Sequence, residues 1–460
     1  MIVKTIKYVH ETMPGDMLTP ITMYTRLQGR KKMLFESNAK HHANGRYSFI
    51  ALNPIGELYG DDKSSTYCNE QQKEIRSIPV VERLKNLLPT FEEKLPFSFF
   101  GGAIGYFSYE LAYHFEKIGL VVNDPYDMPD VHVYFYEQFV VYDHLLEEVH
   151  IVALDLFQEG KTEAQLKDIV ATMKQQLLTE QEVPFVPQQI DFKPLRTKEQ
   201  FVAMVNTAKE HILRGDIFQV VLSQTFEADF NGDAFQLYRA LRSSNPSPYM
   251  YFMQFDDYQI VGTSPESLVK VRDGEVITNP IAGTKKRGMT PQLDDEIAKE
   301  LLQDDKELAE HKMLVDLGRN DIGRVSKVGS VRVTKYMTIE KYKHVMHIVS
   351  EVVGELRDEL HIVDVLASAL PAGTVSGAPK IRAMQIIHTL ESRKRGVYAG
   401  AVGYLSATGE MDLALAIRTM LVKDEKAYVQ AGAGVVYDSN AESEFEETLN
   451  KAKALLEVKG

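Results

Sequence analysis

This sequence has one cysteine, no tryptophan, no surplus of basic residues and no long apolar run. The single cysteine, Cys68, cannot form an internal disulfide, which fits a reducing cytoplasm. A net charge of −13 argues against a nucleic-acid partner, because polyphosphates require a basic stripe. An anionic small molecule would instead need locally placed Arg, Lys, backbone NH groups or a metal. No stretch approaches the ~20 apolar residues of a membrane span. The opening residues, MIVKTIKYVHETMPGDM, also lack the apolar core of a signal peptide. The absence of tryptophan excludes nothing by itself.

What is present is ordinary for a globular protein: 460 residues, 44% hydrophobic and 25% charged. That length allows two or three domains, or one large two-lobed unit. The clearest break is QEVPFVPQQIDFKPLR at 181–196, whose three prolines read as an extended linker between an N-terminal lobe (1–180) and a second domain (197–460). Beyond it, Thr197 and Gln200 form a capping-box pattern, and Phe201, Val205, Ala208 and Ile212 follow at helical spacing. Runs such as VHVYFYEQFVVYD, EVHIVALDLF, IFQVVLSQTF, YQIVGTS and YVQAGAGVVYD read as strands. They occur in both halves without a βαβ rhythm. The expected fold is therefore α+β, a sandwich of large, mostly antiparallel sheets with helices outside. GGAIGYFSYE at 101–110 echoes AGAVGYLSAT at 399–408, as related strands from two lobes would.

Three segments combine glycine with small or hydroxyl residues: Pro280–Thr284, Pro371–Pro379 and Gly432-Ala433-Gly434. Glycine admits a ligand close to the backbone, and consecutive NH groups can hold a carboxylate. In the second segment a helix is expected from about Ser376, with its positive end facing the loop. Taken singly, each segment is also compatible with a tight turn, and none matches a P-loop or dinucleotide fingerprint. Glu310 sits off the stripe Ile297, Leu301, Leu308 and Val315 of a long helical stretch, and Glu447 sits off the stripe Phe445, Leu449, Ala452 and Leu456. Two such carboxylates could hold Mg²⁺ and leave positions for substrate oxygens. His347 lies in an apolar run. Arg319–Arg324 reads as a charged turn after a helix. Arg418, in the strand-like ALAIRTML, is flanked by apolar residues and calls for an anionic partner.

In order along the chain, PIAGT, AEHKMLVDLGRND, HVMHIVS, PAGTVSGAPK, GAVGYLS, AIRT, GAGVVYDS and EETLNKA resemble the chorismate-utilising enzymes, densely over about 255–455. The details look most like the large subunits of anthranilate synthase. The resemblance implies a sandwich with its active site between two lobes. It also implies Mg²⁺ held by Glu310 and Glu447, and chorismate bound by Gly283, Thr284, Tyr398, Arg418, Gly432, Ala433 and Gly434, with Lys451 adding positive charge. Glu266, in GTSPE, resembles the general acid for the departing C4 hydroxyl. His347 would be the base that removes the C2 proton, and Thr374 would position the substrate.

Leu34-Phe35-Glu36-Ser37 with Gly45-Arg46-Tyr47-Ser48 resembles the family's tryptophan feedback motif, with phenylalanine where the pattern has leucine at 35. Its partner is Asn245–Met250. On this resemblance Glu36 and Ser37 hold the effector's amino group, and Pro248, Tyr249 and Met250 line its pocket. Ala282 distinguishes the chain from the many aminodeoxychorismate synthases that carry lysine there; that paralogue is the alternative. No cysteine sits in a glutaminase setting, so nitrogen from glutamine would come from a separate amidotransferase subunit.

Overall fold

The computed structural model describes residues 6–37, 45–93, 95–119, 123–181, 184–186, 190–342 and 345–458. Residues 1–5, part of the proline-rich stretch (182, 183 and 187–189), and Lys343 and His344 lie outside the described residues. Two twelve-stranded sheets make up the core. Every pairing within them is antiparallel, as expected. They pack face to face through aromatic side chains. Phe49 of one sheet lies 5.2 Å from Tyr404 of the other, and Phe99 lies 5.3 Å from both rings. Helices cover the outer faces: Glu163–Leu178, Ala234–Ser244 and Ala441–Leu456 on the first sheet, Asp305–Gly323 and Ile362–Ala369 on the second. Because both faces are covered, Val131–Tyr136 is buried along its whole length. That is why its run reads as continuously apolar.

The strand order contains an internal two-fold. One half of the first sheet holds Tyr8–Pro14, Met33–Glu36, Tyr47–Ala51, Gln138–Asp143 and Glu148–Leu154. The other holds Gln219–Asp229, Tyr249–Gln254, Tyr258–Ser264, Thr419–Lys423 and Lys426–Val435. The halves meet where Met33–Glu36 pairs with Tyr249–Gln254. In the second sheet Gly56–Gly60, Ser65–Cys68, Lys73–Arg76, Gly102–Phe107 and Val131–Tyr136 face Ser267–Arg272, Glu275–Thr278, Val345–Glu355, Ala401–Ser406 and Met411–Leu415. Read outward from each join, the strands follow the same chain order in both halves. The join in the second sheet is the echo itself: Gly105 lies opposite Gly403, with Tyr106 opposite Val402 and Ile104 opposite Tyr404. The proline-rich stretch falls between the halves in sequence, yet each sheet takes strands from both.

Several local expectations are revised. The run VHVYFYEQFVVYD is two strands that leave one sheet for the other at Glu137. The long stretch carrying Glu310 is two helices, Pro291–Leu301 and Asp305–Gly323, because Asp304 caps a new start through the NH groups of Lys306 and Glu307. Arg319–Gly323 closes the second of these helices instead of following it. The helix after PAGTVSGAPK starts at Lys380, not Ser376: Gly377-Ala378 pairs with Gln219-Val220, and Pro379 is its N-cap. The capping box at Thr197 and Gln200 is present, opening Lys198–Leu213.

Candidate active site

Two of the places where the second half of the chain passes from one sheet to the other carry a candidate functional side chain. Glu266 lies between Tyr258–Ser264 and Ser267–Arg272. Arg418 lies between Met411–Leu415 and Thr419–Lys423, not within a strand, with φ 49°. The two crossings are tied by backbone bonds: Leu415 NH to Glu266 O at 3.0 Å and Thr263 NH to Arg418 O at 3.1 Å.

Burial pushes the Glu266 carboxyl up to about 7, against the opposing pull of the Thr374 hydroxyl, Lys451 and Arg418. Thr374 donates to Glu266 Oε1 at 2.7 Å from the short turn Gly373–Val375. Arg418 is partly buried, and among the described residues its guanidinium has no hydrogen-bond or ion-pair partner. An arginine held out of water without a partner is a binding group for an anion.

His347 stands on Val345–Glu355, opposite Thr284 of Ile281–Lys286. Its Nδ1 lies 3.1 Å from the Gly283 carbonyl and 3.0 Å from Thr284 Oγ1. A carbonyl only accepts, so Nδ1 carries the proton and Nε2 presents a lone pair. Burial lowers the imidazole pKa against the pull of the Gly283 hydrogen bond, and nearby Arg418 lowers it further, which favours the neutral ring. The bulge between Ala282 and Thr284 puts Gly283 at φ 65°, and a Cβ there would meet Leu301 at 3.1 Å and Glu307 at 3.2 Å.

Gly432 and Gly434 lie on Lys426–Val435, opposite Ser223 and Val221. A Cβ on Gly432 would stand 2.7 Å from the Tyr398 hydroxyl, and one on Gly434 2.9 Å from the Gln219 amide. These glycines keep a shallow backbone floor between Tyr398 and Gln219. Ala433 is fully buried and faces away from that floor, opposite Leu222. Lys451 donates to the Gly432 carbonyl at 3.2 Å and pairs with Glu447 at 2.6 Å.

Glu310 receives a long 3.4 Å contact from the Gln219 side-chain amide. Burial and the charge of Glu310 raise the pKa of Glu307; burial and the charge of Glu447 help raise that of Glu444. The ends of the two helices therefore concentrate negative charge. Among the described residues no group of three or more His, Cys, Asp or Glu side chains is arranged to hold a metal. Mg²⁺ accepts few protein ligands, so Glu310 and Glu447 are the residues that would hold it.

Sequence reasoning missed two supports. Gln219 is 6% exposed, and its side-chain oxygen has no partner among the described residues. Arg395 is fully buried and bonds Glu391 at 2.6 Å, Val375 O at 2.7 Å and Val221 O at 2.9 Å, clamping the Thr374 turn to Gln219–Asp229, the strand paired with the floor. The i,i+4 spacing of Glu391 and Arg395 was readable, but not their burial.

A cavity of about 600 Å³ opens between the sheets beside their joins. It is lined by Glu36, Ser37, Tyr249, Met250, Lys270, Tyr404 and Asp412, and Pro248 lines a smaller neighbour. The Glu36 carboxylate is already engaged by Arg242 at 2.8 Å and Tyr238 at 2.5 Å. Ser37 donates to Pro248 O at 3.0 Å, and Tyr249 donates to Asp412 at 3.0 Å.

A family described as chorismate binding enzyme matches residues 30–457. Anthranilate synthase component 1 of Lactococcus lactis is 45% identical over 96% of this chain and 98% of its own. That of Aquifex aeolicus is 45% identical over 96% and 92%. The crystal structure of anthranilate synthase component I from Streptococcus pneumoniae superposes with a TM-score of 0.83 at 45% identity, covering 96% of this chain and 98% of that one. The menaquinone-specific isochorismate synthase of Escherichia coli shares the fold at a TM-score of 0.74 and 18% identity, over 99% of this chain and 95% of its own. The chain belongs to the chorismate binding enzyme family, among the anthranilate synthase component 1 proteins.

Proposed function

We propose that the chain converts chorismate and ammonia to anthranilate, pyruvate and water. The carrying observation is the unpaired Arg418 set near both an acid that keeps its proton near pH 7 and a neutral imidazole with a free Nε2. Arg418, Lys451 and the glycine floor bind the substrate's carboxylates. As ammonia forms a bond to C2, Glu266 gives its proton to the C4 oxygen, which leaves as water. His347 Nε2 then takes the C2 proton as the ring C–O bond to the side chain breaks, and the enolpyruvate released gains a proton at its methylene carbon to become pyruvate, leaving an aromatic ring and returning His347 to its neutral form. Thr374 fixes the carboxyl of Glu266 in line for the first of these steps. Glu310 and Glu447 would hold Mg²⁺, which when bound neutralises a ring carboxylate of the substrate.

In this reading a glutamine amidotransferase subunit supplies ammonia. The cavity between the sheets takes tryptophan: Ser37, Pro248, Tyr249 and Met250 form its wall, and Glu36 braces that wall through Arg242 and Tyr238. Because the cavity is lined by strands from both halves, a ligand there favours one arrangement of the sheets over another.

The test is the fluorescence of anthranilate formed from chorismate, Mg²⁺ and an ammonium salt, with and without tryptophan. A 4-amino product needing a separate lyase would replace this reading with aminodeoxychorismate synthesis. Since the chain has no tryptophan, binding of the effector can be followed by indole emission without background.

A further inference from the structure

A third cavity, of about 50 Å³, shares Glu266 and Thr374 with the active site but touches none of Gly283, Thr284, Glu310, His347, Arg418 or Gly434. Its other walls include Leu314, Leu317, Gly318 and Asp321, which continue along the helix face that begins at Glu310. The cavity therefore lies beyond the Glu266–Thr374 pair, away from Glu310. A water needs ~10–15 Å³ of such space, so this cavity has room for a few waters and none for the substrate. At its far end Asp321 is 8% exposed and pairs with Lys380 at 2.8 Å, while its chain neighbours Asn320 and Arg324 are at the surface.

We propose that this cavity is the proton inlet of the active site, with Asp321 as the relay group that restores the proton of Glu266 after each turnover. The inference rests on Glu266 being the general acid. Substrate bound on the front covers one side of the acid, and Thr374 occupies Oε1, so reloading must come from the rear. In the first step the Glu266 O–H bond breaks, an O–H bond forms on the C4 oxygen, and the C4–O bond breaks to release water. The new C–N bond leaves a proton on nitrogen, which is lost to solvent on the substrate side. The Asp321 carboxylate takes a proton from solvent and passes it to a cavity water as that water gives its own proton to Glu266, so both Asp321 and the water end as they began. One proton leaves at the front and one enters at the rear, so no further reactant is needed. Burial raises the Asp321 pKa against the pull of Lys380 and Arg324, the charges that face it, which favours a group that exchanges protons.

The test compares the first turnover with the steady state, using enzyme equilibrated below pH 7 so that Glu266 starts protonated. In Asp321→Asn the first turnover should match the unmodified enzyme, while the steady-state rate falls at least about tenfold and gains a larger solvent deuterium isotope effect. Leu314→Phe, which fills the cavity without touching the ion pair, should show the same split and covers the case in which Asp321→Asn fails to fold. Equal losses in both phases, or no loss in either, would overturn the inlet. Anthranilate formation by the unmodified enzyme tests the underlying reading separately.

Discussion

The two halves of the chain repeat one strand order, yet the candidate active-site residues fall in the second. The difference lies at the crossings between sheets and in one insertion. Where the second half crosses with Glu266, the first crosses at Asn53, whose side chain accepts from the Arg30 NH at 3.0 Å. Where the second crosses with Arg418, the first has Glu137, buried and paired with Lys161 at 2.9 Å. The first half thus supplies its own counter-charge at the position where the second leaves an arginine waiting for a ligand. Between Glu275–Thr278 and Val345–Glu355 the second half also inserts residues 279–344, which carry Gly283, Thr284 and Glu310. Its counterpart between Ser65–Cys68 and Lys73–Arg76 is the four-residue connection 69–72. A symmetric scaffold becomes a site when one copy leaves charge uncompensated and adds a wall.

That comparison can be broken most sharply at the acid. Glu266→Gln should lower anthranilate formation by about 10²–10⁴-fold. Asn53→Ala, at the matching crossing, should leave the rate unchanged and cost about 1–2 kcal/mol of stability, read by denaturant unfolding. Next in size is the arginine. Arg418→Met removes charge-assisted bonds of ~1.5–3 kcal/mol and should raise the KM for chorismate about 10- to 100-fold. Glu137→Gln should leave KM alone and lower only the melting temperature.

The acid also sets a pH dependence. With a pKa of about 7 and the protonated form required, kcat/KM at fixed free ammonia should fall about tenfold per pH unit above that point. On the acid side, activity should persist below the ordinary histidine pKa, because burial lowers that of His347. The same shift bears on stability. The folded state prefers neutral Glu266, so this contribution is lost as pH rises from the unfolded carboxyl pKa through about 7. Glu266→Gln should therefore be more stable than the parent at pH 8, and not at pH 4. The smallest effect is expected at the cavity wall: Ser37→Ala loses one hydrogen bond and should weaken tryptophan inhibition several-fold, leaving uninhibited turnover intact.

Much of the site was legible because its residues sit in contiguous motifs, and the α+β class because alternating runs fill both halves. What sequence periodicity obscured was where the chain changes sheets. VHVYFYEQFVVYD and ALAIRTML keep strand-like composition through their crossings, since residues on both sides are buried. Arg418 therefore reads as a strand residue although its φ of 49° marks a corner. The segment 34–37 shows the opposite limit. Glu36 is conspicuous in sequence, but only packing reveals that Arg242 and Tyr238 hold its carboxylate.

The joins between the halves have a consequence for how the chain is made. Phe100 NH bonds the Ser406 hydroxyl, 306 residues apart, and neither central strand pair can form until its partner, Tyr249–Gln254 or Ala401–Ser406, has left the ribosome. Contacts of such long range slow folding, and meanwhile the unjoined edges of Met33–Glu36 and Gly102–Phe107 remain open to wrong partners. Chain synthesis, rather than collapse of the first half, should therefore pace maturation, and release of the C-terminal strands should be the moment at which both sheets close.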